Sequence, residues 1–295
     1  PEAPEEEIQK AFRPNTKALF GETISNPGCN VLDIEKFARI AHANGVPLVV
    51  DNTFATPINC RPFEWGCDIV THSTTKYMDG HATQVGGAVV DSGNFDWEAH
   101  NDKFPGLCTP DESYHGLTYT KAFGQMGYIT KLVAQLQRDL GAVPSPHNSF
   151  LLNIGLETLH LRMAQHCSNA QRVAEFLHGD PRVAWVHYCG LESDKNHALA
   201  AKYLPNGSCG VMAFGHKGDR DTAIKFLDSL EMIAIVTHVA DARSSVLHPA
   251  SHTHRQLSDA QLKEAGIAPD LIRLSVGIED CGDIIGDIRQ ALDKI

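Results

Sequence analysis

The sequence predicts an α/β protein, with a large domain on a mostly parallel sheet followed by a smaller α+β domain. Three observations predict it. Through the first part of the chain, short apolar runs alternate with amphipathic helical stretches, the rhythm of strand–helix–strand units. Later this alternation gives way to strands and helices in a looser order, so the domains are expected over residues 1–160 and 161–295. The chain has 295 residues at 42% hydrophobic content, enough for one large core or two smaller ones.

The elements follow in order. Glu5–Phe12 reads as a helix, and a turn at Pro14-Asn15 leads into the strand Lys17–Phe20. Val31–Asn44 reads as a helix, with Leu32, Phe37, Ile40 and Ala41 on one face and Gly45 to end it. Val46–Val50 is a buried strand closed by Asp51-Asn52; Cys67–Thr71 and Gly86–Val90 are the next two strands. That pattern suggests a doubly wound sheet, whose ligands lie at the carboxyl ends of the strands. Lys103–Gly116, rich in Pro, Gly and Asp, is expected to be a long loop before a helical region Tyr119–Leu140. A further helix is predicted from about Asn153 to Leu177, where apolar residues recur at helical spacing. Strands at Val183–Val186, Val211–Phe214, Met232–Val236 and Leu271–Val276, and a last helix Ile284–Leu292, make up the smaller domain.

The net charge of −11 argues against nucleic acid or an anionic membrane as partner. No apolar run approaches the ~18 residues that a membrane helix needs. The acidic, polar opening Pro1–Lys10 is neither a signal peptide nor a transit peptide. The eight cysteines, at 29, 60, 67, 108, 167, 189, 209 and 281, form no C-x-x-C pair, so reduced buried thiols in a cytoplasmic protein are expected. The chain begins without methionine and as though in mid-fold, so a longer protein is expected.

The chemistry lies at two strand ends. Asp51 directly follows the apolar run Val46–Val50 and by itself reads as an Asx turn. His72-Ser73-Thr74-Thr75-Lys76 follows the next strand, so a lysine stands behind three hydroxyl residues. Alone, such a lysine is a solvated charge; partly buried near another cation, it loses its proton more easily and becomes a nucleophile. Pyridoxal 5′-phosphate (PLP) needs a carboxylate against its pyridine nitrogen, a lysine for a Schiff base and hydroxyls for its phosphate. Asp51, Lys76, and Ser73 with Thr75 would supply all three.

Six blocks carry a wider resemblance. They are Phe20–Pro27, Val50–Pro57, His72–Tyr77, Leu156–Met163, His248–His254 and Arg273–Asp280. In sequence and order they resemble the Cys/Met-metabolism family of fold-type I PLP enzymes, over nearly the whole chain. The resemblance implies the PLP-dependent transferase fold (type I), with the large domain binding the cofactor. It implies that Lys76 holds PLP and then moves protons, that Asp51 binds the pyridine nitrogen, and that Asn26 bonds the 3′-oxygen. Ser73 and Thr75 would hold the phosphate, Thr53 would pack on the ring, and Arg273 would clamp the substrate carboxylate, with Glu22 also at the substrate. Without the resemblance, Asn26 reads as a turn residue before Pro27, and Arg273 as a partner for Glu279 or Asp280.

Within the family the chain is most similar to the branch that turns O-acetylhomoserine and sulfide, or methanethiol, into homocysteine, or methionine, and acetate. The inserted segment Asp91–Trp97, with Phe104–Leu107 and Ser113–Gly116, points to it. Cystathionine γ-synthase and the methionine and cystathionine γ-lyases are the alternatives, and an incomplete binding subunit is the contrasting one. The implied partners are a small amino-acid substrate, sulfide or a thiol, and further copies of the chain in a homotetramer of two dimers.

Two departures stand out. The family's N-terminal part, with its phosphate loop, is not in this sequence. Thr237–Asp241 is shorter than the loop of some relatives. His248, His252 and His254 lie close together, but no acidic or thiol ligand is spaced to join them, so no metal is expected.

Overall fold

A computed structural model describes residues 3–252, 256, 261–262, 268 and 270–295. Two sheets organise them. The first has the order β1 (Leu19–Glu22), β2 (Leu48–Asp51), β3 (Ile69–Ser73) and β4 (Gly87–Asp91). β1, β2 and β3 are parallel, with Glu22 beside Asp51 and Asp51 beside Thr71 in register. Their carboxyl ends are therefore level, which is what gathers polar residues there.

β4 departs from the parallel pattern. It returns antiparallel to β3, pairing Ser73 with Gly87. The connection folds as a loop around the Asp79 carboxylate, which accepts from the backbone N–H of Thr83 at 2.9 Å and its hydroxyl at 2.6 Å. A parallel return would need a crossover element in that place.

The strands of the first sheet also start later than the apolar runs. Pro47 has no N–H for a ladder, and pairing begins one residue on, at Leu48 opposite Leu19. The helix between β1 and β2, Ile34–Ala43, starts where Asp33 caps it by accepting from Lys36 N–H at 3.3 Å. It buries Ile34, Phe37, Ala38, Ile40 and Ala41.

The helical region Tyr119–Leu140 is broken into short pieces, Tyr119–Phe123, Gly124–Met126, Gly127–Lys131, a π-helical Leu132–Gln137 and Arg138–Leu140. Gly124, at φ +54°, ends the first of them. The expected loop Lys103–Gly116 holds a helical turn, Pro105–Cys108, and a 3₁₀ turn, Glu112–Tyr114. Its aromatic side chains pack with the insert: Phe95, Trp97, Leu107, Cys108 and Tyr119 form a cluster with Phe104 against Ile69 of β3.

The predicted helix Asn153–Leu177 is two helices, Pro146–Glu157 and Leu159–Gly179. They part at Thr158, whose hydroxyl accepts from Arg162 Nε at 3.1 Å. The second sheet has the order β5 (Val183–His187), β6 (Val211–His216), β9 (Leu271–Ser275), β8 (Ser245–Leu247) and β7 (Ala234–Ile235). The short β8 has no sequence signal of its own, and β7 is shorter than the apolar run around it. All pairs are antiparallel except β7 with β8.

Two large clusters form the core, and the first, around the first sheet, also takes in Val211 and Ala213 of β6 and Leu271 of β9. Ile34, Phe37, Leu48, Val50 and Val70 belong to the first, and Met212, Phe214, Phe226, Ile272, Leu274 and Ile288 to the second. The helix Leu159–Gly179 serves both, giving Leu159 and Met163 to one and Ala170, Val173, Ala174 and Leu177 to the other.

Candidate active site

A cavity of about 150 Å³ opens at the carboxyl ends of the three parallel strands. Glu22, Ile24, Asn26, Asp51, Thr53, Phe54, Ser73, Lys76 and Val239 line it. Glu22, Asp51 and Ser73 are the last residues of β1, β2 and β3. Asn26, Thr53 and Lys76 sit in the loops just beyond. The parallel register thus collects on one rim residues that are far apart in sequence.

Each polar group is held. Asp51 does form the Asx turn, its Oδ1 accepting from Thr53 N–H at 2.9 Å, while the Thr71 hydroxyl donates to Oδ2 at 3.4 Å. These bonds fix the carboxylate in the cavity wall, so forming the turn does not take Asp51 out of the lining. The Thr53 hydroxyl accepts from Ser73 N–H at 2.8 Å and ties the β2 loop to the end of β3. Glu22 accepts from Asn26 N–H at 3.0 Å. Its carboxyl titrates above the usual range, mainly through lost solvation, with the Asp51 charge adding.

Lys76 is half-buried. Desolvation lowers its pKa, and the Arg273 guanidinium lowers it further. A larger share of free amine is the form that attacks a carbonyl. The turn behind it is tied down by hydrogen bonds. Arg162, 5% exposed, donates to the carbonyls of Tyr77 at 2.7 Å, Gly155 at 2.6 Å and Met78 at 3.4 Å. Gly80 has φ +75°, and a Cβ there would lie 2.2 Å from Arg162 Nη1. Tyr77 is buried, and its hydroxyl accepts from Gly210 N–H at 2.8 Å.

Two expected residues lie outside the lining. Thr75 turns to Gly86, donating to its carbonyl at 3.3 Å and accepting from its N–H at 3.1 Å. Arg273, on β9 and 6% exposed, donates to Asn26 Oδ1 at 3.2 Å and to the Thr237 carbonyl at 2.9 Å. It does not pair with Glu279 or Asp280; Glu279 instead accepts from Ser244. Among the described residues no carboxylate pairs with this buried guanidinium.

Sequence reasoning missed Arg162 and His238. Arg162 lay inside a quoted block without a role, and His238 lay in the loop noted for its length. His238 Nδ1 is 3.4 Å from Lys76 Nζ. The eight cysteines are free thiols, and burial raises Cys60 and Cys67 to about 12, so neither is a nucleophile. His248 Nδ1 meets Ser251 Oγ at 2.8 Å and His252 Nδ1 meets the His248 carbonyl at 3.0 Å; His254 lies outside the described residues. No described helix is long and apolar enough to cross a membrane.

The donor set fits PLP on chemical grounds. A fixed carboxylate, an amine of lowered pKa, hydroxyls and an amide converge on one concave site. Comparison with known proteins agrees. A homocysteine synthase of Schizosaccharomyces pombe is 47% identical over 280 residues, 95% of this chain and 65% of that protein. An O-acetyl-L-homoserine sulfhydrylase of Leptospira meyeri is 42% identical over 299 residues, 98% of this chain and 67% of that protein. A solved chain from Campylobacter jejuni, named as an O-acetylhomoserine (thiol)-lyase and carrying N′-pyridoxyl-lysine-5′-monophosphate, superposes with a TM-score of 0.93 at 38% identity. That match covers 98% of this chain and 68% of the other. The chain thus spans about two thirds of the length of these relatives. The family model for Cys/Met metabolism PLP-dependent enzymes matches residues 1–293, and the chain belongs to that family.

Proposed function

We propose that this chain carries the catalytic lysine and most of the cofactor pocket of a γ-replacement enzyme of methionine biosynthesis. Its substrates are O-acetylhomoserine and sulfide, or a thiol such as methanethiol, and its products are homocysteine, or methionine, and acetate. The observation that carries the reading is the convergence of Lys76 and Asp51 in one cavity, with the Arg273 guanidinium, which no described carboxylate pairs, held against Asn26 of its lining. The names of the two relatives described above, a homocysteine synthase and an O-acetyl-L-homoserine sulfhydrylase, support it over a γ-lyase or cystathionine γ-synthase.

Bound here, PLP supplies an aldehyde and an electron-withdrawing ring that make the protons next to the substrate's amine acidic. The chain's residues do the rest. Asp51 keeps a proton on the ring nitrogen. Ser73 would hold the phosphate, joined by Thr75 once its hydroxyl turns from Gly86, Asn26 would bond the ring oxygen, and Thr53 would pack at the ring face. Lys76 takes protons from the α- and β-carbons and returns them, because it stands beside both. Arg273 holds the α-carboxylate by a two-pronged hydrogen bond that a lysine cannot copy, with Glu22 at the same rim. Once the β-proton is taken, acetate leaves the γ-carbon, and sulfide then adds to that carbon as the protons return.

A homotetramer suits the exposed apolar side chains Val85, Met126, Leu140, Val143, Phe150 and Leu161. The buried free thiols suit a cytoplasmic setting. The test is the visible spectrum before and after borohydride, followed by product analysis with added sulfide. A band that vanishes on reduction, with the added mass on Lys76, and homocysteine as product support the proposal. Release of 2-oxobutyrate instead makes the enzyme a lyase, and a chain that stays colourless with added PLP overturns the cofactor site.

A further inference from the structure

A second cavity of about 490 Å³ lies next to the first, with His238, Asp241 and Arg243 in its lining. Lys76 lines the first cavity and His238 the second; their nitrogens, 3.4 Å apart, form the contact between the two. Beyond the ring, His238 Nε2 faces Asp241 Oδ2 at 3.7 Å. Both atoms are buried, and neither has a hydrogen-bond partner among the described residues. We infer that His238, backed by Asp241, is the proton-exchange partner of Lys76. This inference rests on the γ-replacement reading and assigns a positioning residue to it.

The local structure holds the three groups in line. Asp241 Oδ1 accepts from Arg243 N–H at 2.9 Å and Nε at 3.2 Å, which leaves Oδ2 turned to the imidazole. The loop is fastened to the lysine turn by Ala242 N–H donating to the Gly80 carbonyl at 2.8 Å. It is fastened to β9 by Ala240 N–H donating to Ser275 Oγ at 2.8 Å. The charged groups facing His238 are Lys76, Asp241, Asp79 and Arg243. Burial, then the Lys76 charge, lowers the pKa of His238, so the ring is neutral and Nδ1 can accept.

The reaction gives this pair a task. One proton leaves the α-carbon and another the β-carbon, and a neutral amine accepts only one. Transfer to His238 breaks an Nζ–H bond of the Lys76 ammonium and forms Nδ1–H. The charge passes to an imidazolium whose Nε2–H points at the Asp241 carboxylate. Lys76 is then a free amine for the second proton, and the reverse transfer supplies the proton that goes back to carbon. Between these events the imidazolium can trade protons with water in the second cavity.

The experiment uses O-acetyl-L-homoserine deuterated at the α-carbon, with sulfide in ordinary water, and compares wild type with His238→Asn. Asparagine still hydrogen-bonds Lys76 but cannot take a proton. In the variant the homocysteine is expected to keep several-fold more deuterium. Its kcat is expected to fall on the order of 100-fold with KM little changed, and its pH profile to lose its acid limb. Unchanged label retention and kcat would overturn the inference. A second readout needs no turnover: nitrogen NMR of His238 in cofactor-free protein, with Lys76→Gln expected to raise its pKa. No change there overturns the coupling. If wild type fails on O-acetylhomoserine while this coupling is seen, it is the substrate assignment that falls.

Discussion

Arg273 Nη1 donates to Asn26 Oδ1 at 3.2 Å, so a strand of the second sheet grips the loop that leaves the first strand of the chain's first sheet. The two residues are 247 positions apart in sequence. The bond holds the guanidinium beside Asn26, a residue of the cavity lining.

Arg273→Lys is therefore expected to weaken substrate capture. Losing a charge-assisted fork costs about 1.5–3 kcal/mol, or roughly 10- to 150-fold. The loss should appear in KM for O-acetylhomoserine, measured by steady-state kinetics, with the cofactor band unchanged. A lowered kcat at constant KM would place Arg273 elsewhere in the reaction.

Asp51 offers a cleaner separation. Asp51→Asn keeps an oxygen for Thr53 N–H, so the turn should survive and Tm stay within a few degrees. Removing the charge should lower kcat on the order of 10²-fold or more. Asp51→Ala loses the turn acceptor as well, and should lower both Tm and activity. Equal activity of Asp51→Asn and wild type would contradict the pyridine-nitrogen role.

Arg162 tests the support behind Lys76. Arg162→Met leaves the Tyr77, Gly155 and Met78 carbonyls without their donor in a buried place, a loss on the order of 3 kcal/mol or more. Urea unfolding should show it as a lower midpoint. A midpoint equal to that of wild type would mean that the turn is held by its other bonds.

Acid should destabilise the fold through His166. Burial lowers this histidine from 6.5 to about 4, with Arg162 also disfavouring its charge. Its ring lies 4.8 Å from that of Tyr77, and Nδ1 bonds the Val276 carbonyl at 2.8 Å. The unfolded chain binds the extra proton first. Stability from this group is thus complete above about pH 6.5 and declines as pH falls toward about 4. The loss is at most on the order of 3 kcal/mol. His166→Gln should flatten that slope in urea titrations at pH 7.5 and 5; an unchanged slope would assign it to other groups.

The sequence made some of this legible, for physical reasons. Asp51 and Lys76 each follow an apolar run, and parallel neighbours put such ends side by side, so their meeting could be expected before any coordinates. Arg273 had no such signal, because its partners lie in loops remote from it in sequence; only the family resemblance pointed to it. His238 was hidden because loop geometry is set by tertiary bonds such as Ala242 to Gly80. The broken region Tyr119–Leu140 misled for the opposite reason: its apolar spacing is helical, but Gly124 at φ +54° ends the helix.

The helix Leu159–Gly179 has a mechanical consequence. Its first turns are packed in one core and its last turns in the other, so it acts as a shared axle. Neither sheet can lose its packing without loosening the shaft that the other grips. Heating should therefore melt both halves in a single calorimetric transition. A break introduced near the middle of the axle, by proline at Cys167, should split that transition in two.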